Sequence, residues 1–137
     1  MQGVARNFFT LAIIFSILGM MLGLSMAMSH DHAQMPTHAH IMVLGWVMSS
    51  IFAFFYHLVP AACSSRLATV HFWLSALSSI GLVIGLFMLY GGNPSAEPIA
   101  AICSMGFFAA TLLFAWIAIS ALWKAEATTA TSGAPAR

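Results

Sequence analysis

Charge is what this chain most lacks. Of its 137 residues only four are Lys or Arg and three are Asp or Glu, 5% in all. A soluble domain carries roughly a quarter. So few basic residues exclude a nucleic-acid partner, which needs a cationic footprint. The acids Asp31, Glu97 and Glu126 never fall as a pair, so two-carboxylate acid–base chemistry is absent. The apolar runs contain no carboxylate to carry protons across a bilayer. No Gly-rich phosphate loop and no Ser/His/Asp set stands out. Nor is there any run of strict apolar–polar alternation, which argues against a transmembrane β-barrel.

Hydrophobic residues are abundant instead, at 61%. They gather in four runs, at about 8–28, 40–59, 67–90 and 98–123. Each approaches or exceeds the roughly 20 residues an α-helix needs to cross a bilayer. The expected fold is all-α: an integral membrane four-helix bundle over residues 1–124. The polar stretch "AEATTATSGAPAR" after it reads as a disordered tail, 125–137. The first run is longer than the apolar core of a signal peptide and lacks a good cleavage site, so it reads as a retained helix. Arg6, Arg66, Lys124 and Arg137 all fall on one side of a four-crossing topology. The positive-inside rule places that side, with both termini, in the cytoplasm. Loops 29–37 and 91–97 then face outward. Cys63 and Cys103 sit toward opposite faces, too far apart for a disulfide, and read as small packing residues.

Six histidines are the main polar feature. All lie between His30 and His71, and the first and fourth helices have none. Imidazole inside a membrane is costly and usually put to use. His38 and His40 open the second run. Two residues apart on a helix is about 200° of rotation, so their rings leave on nearly opposite sides. Such a pair does not serve one small metal ion; it suits a helix lying between two cofactor pockets. Alternatively, one or both rings face water or lipid headgroups at the helix end. His57 lies about 25 Å further along the same helix, too far to share a centre with His40.

The outer loop "MAMSHDHAQMPTH" offers His30, His32 and Met35. Imidazole with thioether suits copper, although a merely polar, flexible loop has the same composition. His57 in "FFYHLVP" and His71 in "TVHFWL" flank the cytoplasmic turn, with aromatic neighbours typical of a membrane-interface belt. A second, inner-face metal or haem site between these two is the alternative.

The stretches "HAHIMVLGWVMSSIFAFFYHLVP" and "RLATVHFWLSALSSIGLVIGLFML" resemble the second and third helices of haem-copper oxidase subunit I, the cbb3 type in particular. The match rests on the histidine opening the second helix, the Gly45–Trp46 step and the "HFWL" start of the third. In that family the first of these is an axial ligand of a low-spin haem, which here falls on His38, or on His40 in a neighbouring register. The family's twelve helices form three arcs of four, and one equivalent helix carries a His-x-His pair serving two adjacent haems. This chain supplies a single arc. The resemblance therefore implies a homotrimer in a bacterial inner membrane. His38 of one subunit and His40 of the next would hold haem b between them, with Trp46 alongside, for electron transport or redox and gas sensing. A quinol or an exported redox protein is the implied electron source, and a small quinol-linked oxidoreductase the implied enzyme class. A copper-binding protein using the outer loop, and a cofactor-free accessory subunit of a respiratory oxidase, remain alternatives.

Overall fold

The computed structural model describes the backbone of residues 1–132 and the side chains of residues 1–123. Among these residues the chain is helical and has no strand. Four helices are long and apolar enough to cross a membrane: Gly3–Ser29, Met35–Leu58, Arg66–Tyr90 and the stretch Pro94–Trp123. The last belongs to a helix running Glu97–Ser132 behind a short 3-10 turn, Pro94–Ala96. The helix thus continues through 125–132, where the sequence suggested a tail; small residues such as Ala and Thr keep an α backbone once a long helix is propagating. Residues 133–137 of that expected tail lie outside the described residues.

The helix ends follow local chemistry. Ser65 caps the third helix by accepting a hydrogen bond from the Ala68 N–H at 3.1 Å. Pro36 and Pro60 each sit in a first helical turn, where a missing N–H leaves no bond unmade. Pro60 therefore ends the second helix and opens a separate turn, Pro60–Cys63. The first helix closes on His30, which takes a left-handed conformation at φ 56°.

Cross-links between loops establish an up-down-up-down course. At one end the Gln34 side-chain amide donates to the Phe87 carbonyl at 3.0 Å, tying the first connection to the third helix's last turn. At the other end Cys63 Sγ lies 3.7 Å from the Gln2 carbonyl, bringing the turn after the second helix to the start of the first. These are called below the His-Ala-His end and the Arg66 end. Cys63 and Cys103 are both free thiols.

The second helix is not uniform. It is α-helical over Met35–His40, a π-helix over Ile41–Met48, and α-helical again over Ser49–Leu58. π geometry is rare, and mostly confined to single-turn bulges that favour functional sites. Here it lies directly beneath the histidine pair. Gly45, buried within it, makes the close approach possible: a Cβ there would run into the Phe15 ring of the first helix.

The bundle's polarity is reversed relative to a soluble protein. Ile13, Ile17, Met21 and Leu24 form an exposed stripe on the first helix. Leu77 and Ile84 do the same on the third, and Met105, Leu112 and Trp116 on the fourth. Ser75, Ser78 and Ser79 are buried inside. That is the arrangement expected where the surroundings are hydrocarbon and polar groups must find partners within the bundle. The main core, around Phe8, Phe52, Tyr56 and Phe107, lies toward the Arg66 end; a smaller cluster of Leu82, Leu86 and Ala100 lies toward the other.

Candidate functional site

The histidine pair sits on the first two turns of the second helix, with both rings half-buried. His38 turns toward the first helix, where its Nδ1 lies 2.9 Å from the Gly19 carbonyl. His40 Nδ1 lies 2.7 Å from the Pro36 carbonyl of its own helix. A carbonyl can only accept, so each Nδ1 carries the hydrogen and donates it. In the neutral form of each ring this selects the tautomer whose Nε2 keeps its lone pair. Histidines that ligate metals are commonly prepared this way, one nitrogen anchored to a carbonyl and the other free to bind.

The first helix is shaped around one of these rings. A Cβ on Gly23 would lie 2.9 Å from His38 Cε1, closer than side-chain carbons approach. Glycine at this position admits the imidazole close against the backbone. The two rings bond to different partners: His38 to the first helix and His40 within its own. Trp46, further along in the π-helical segment, is 42% exposed on the bundle surface.

Nearby, His30, His32 and Met35 are all exposed. The loop between them is held by a Ser29 hydroxyl accepting from the Asp31 N–H and an Asp31 carboxylate accepting from the Ala33 N–H at 2.9 Å. No group of three or more His, Cys, Asp or Glu residues gathers as a metal site among the described residues.

The other two histidines occupy contrasting places. His57 is exposed and lines a cleft of about 490 Å3 at the Arg66 end, with Gln2, Tyr56, Pro60, Cys63 and Ser64. His71 is wholly buried. Its ring stacks on Phe114 at a centroid distance of 5.4 Å and meets Phe52 edge-on at 4.6 Å, with Phe8 at 5.0 Å. Its Nδ1 lies 3.0 Å from the Tyr56 hydroxyl. The expectation that these aromatic neighbours form an interface belt therefore fails for Tyr56 and His71, which are core residues. Trp73, by contrast, is 57% exposed on the bundle surface.

The sequence reading sets His57 and His71 on either side of the turn and misses Tyr56 as the partner of His71. Tyr56 and His71 lie at similar distances along the chain from the turn, which lets them meet. Adjacent helical residues, however, differ by about 100° in direction. Tyr56 continues the inward row begun by Phe52 four residues earlier, and His57 leaves that row. The four-residue spacing of Phe52 and Tyr56 was the available signal.

Four apolar helices enclosing imidazoles, hydroxyls and aromatic rings define the class: an all-helical, multi-pass membrane protein. Set against family models, curated proteins and solved structures, the chain matches none of them.

Proposed function

We propose that this chain is a membrane haem b protein that assembles as a homotrimer, with electron transfer or redox and gas sensing as its role. One observation carries this reading. Two imidazoles, two residues apart, are each anchored at Nδ1 to a carbonyl and present a bare Nε2. The donor set fits a haem iron with two neutral nitrogen ligands. His38 of one subunit and His40 of its neighbour would hold it, with Trp46 alongside. When bound, such a haem would supply one-electron redox chemistry.

The chain's own residues do the rest. The Gly19 and Pro36 carbonyls fix the tautomer and raise the basicity of each ligand. Gly23 and Gly45 let the first two helices approach closely enough to hold the rings in place. The exposed apolar stripes exclude water from everything between. Helices in lipid lack the aqueous hydrophobic drive to associate, so a ligand shared between subunits would also strengthen the oligomer. In this reading the Arg66 end faces the cytoplasm of a bacterial inner membrane, and a quinol or exported redox protein is the electron source.

Absorption spectroscopy of the purified protein tests it. The expected result is a Soret band with sharpened α and β bands on reduction. Both His38→Ala and His40→Ala should abolish these bands and weaken the oligomer, while His30→Ala and His32→Ala leave them intact. Haem retention in either single variant of the pair would overturn the shared-helix arrangement. Colourless protein that carries copper, and loses it in the His30, His32 or Met35 variants, would replace the haem reading with copper handling. Colourless, metal-free protein that co-purifies with oxidase subunits would replace both with the accessory-subunit role.

A further inference from the structure

The second helix keeps one face inward along its length, which α winding alone would not do. Thr37, Ile41, Gly45, Ser49 and Ala53 are all buried. Met35, Ala39, Val43, Val47 and Ile51 are all exposed. Both rows step by four residues. Four residues turn an α-helix about 400°, so each step overshoots a full turn by about 40°. Over the four steps from Thr37 to Ala53 the overshoot would reach about 160°. The two residues would then face nearly opposite sides of the helix, yet each is 0% exposed. The apolar stripe of a helix facing a core spans only about 100°.

The π-helix at Ile41–Met48 offsets this drift. Its hydrogen bonds close on the fifth residue instead of the fourth, so each turn holds more residues and each residue turns the chain less. The second helix is thereby fastened to the first at both ends. Toward the His-Ala-His end, His38 lies against Gly23, and Ile41 and Met42 lie against Gly19. Midway, Gly45 receives the Phe15 ring. Toward the Arg66 end, Phe52 and Tyr56 both meet Phe8, at centroid distances of 5.3 and 5.9 Å.

We propose that the π-wound segment is a positioning element for the histidine pair. It absorbs roughly one to two residues' worth of rotation, and so holds His38 on the first helix while Phe52 and Tyr56 stay in the core. The direction in which the pair is presented is set by the turns beneath it, not by the two turns that carry it. Wound as α-helix, the same residues would carry Met35–His40 around the axis and take His38 off Gly19 and Gly23.

Two deletions and an insertion test this, in protein reconstituted into lipid bilayers under reducing conditions. The readouts are the melting temperature and, by solid-state NMR, the through-space contact between the His38 ring and Gly23. Deleting the exposed Val43 cuts the overshoot to about 60°, within one apolar stripe, and lets the segment wind as α-helix. The expected result is a retained contact and a melting temperature close to that of the native protein. Leu77 is also exposed but lies in regular α-helix. Deleting it turns one half of the third helix about 100° against the other, and a large fall in melting temperature is expected. Inserting one alanine after Val43 adds about 100° that the segment has not absorbed, and should lose the His38 contact. Loss of that contact on deleting Val43, equal melting temperatures in the two deletions, or a contact that survives the insertion would overturn the proposal. None of these readouts requires haem, so failure here is distinct from failure of the haem reading.

Discussion

The two ends of this bundle treat histidine in opposite ways. At the His-Ala-His end, His38 and His40 are half-buried, each is anchored by one nitrogen to a backbone carbonyl, and each keeps the other nitrogen free. Their surroundings are backbone and glycine, and the helix beneath them has π geometry. At the Arg66 end, His71 is packed among aromatic rings, in regular α-helix, with a side-chain hydroxyl as its partner. One environment leaves a nitrogen of each imidazole without a hydrogen bond; the other seals an imidazole in. The cause is the width of the neighbours. Glycine at 23 lets the first helix approach the ring of His38, whereas Phe8 and Phe52 fill the space around His71 and leave no access for a large ligand.

That contrast can be broken first at its densest point. Phe52 is fully buried and touches Phe8, His71 and Phe114. Phe52→Ala should cost about 3 kcal/mol through lost contacts and the cavity left behind, read as a large drop in thermal stability in detergent. If the loss is slight, the aromatic core is not what holds the Arg66 end together. Next comes the glycine-lined contact at the other end. Gly45→Ala puts a methyl into the Phe15 ring, and overpacking of this kind costs about 1–3 kcal/mol. Pairing it with Phe15→Ala should recover part of the loss, and a double-mutant cycle with no coupling would dissociate Gly45 from that approach.

A sharper version separates ligand presentation from stability. Gly23→Ala crowds His38 without removing it, so under the proposed haem function haem content should fall further than thermal stability does; equal losses would mean Gly23 serves packing alone. The smallest effect is expected at a helix cap. Ser65→Ala removes the acceptor for the Ala68 N–H and should cost about 1 kcal/mol, leaving haem content untouched. A haem defect in that variant would show that the two ends are coupled.

Much of the architecture was legible in the residues. The four apolar runs mark four helices, and Pro36, Pro60 and Pro94 mark the breaks. The boundaries moved where propensity was a weak guide: the first helix begins at Gly3, the second at Met35, and the fourth continues through Thr128 and Thr129. The candidate site was legible in part. His38 and His40 stood out by type and spacing, and their divergent directions follow from helix geometry. Their anchoring carbonyls did not stand out, because every residue has a carbonyl and only the fold selects Gly19. The π-helical segment left no trace that periodicity could read, since Ile41–Met48 is apolar throughout apart from Gly45. Tyr56 was hidden by resemblance to an ordinary interfacial tyrosine.

Composition alone determined that this chain needs a low-dielectric surrounding and must satisfy its backbone within helices, because it has too little charge to hold an aqueous surface. Spacing alone determined that two imidazoles on one helix point apart. Which imidazole is sealed and which keeps a free nitrogen was decided only in three dimensions. Burial and hydrogen-bond partners depend on which helix faces which, and neighbouring residues on a helix differ by about 100° in direction, so a change of one position exchanges a core contact for an open surface.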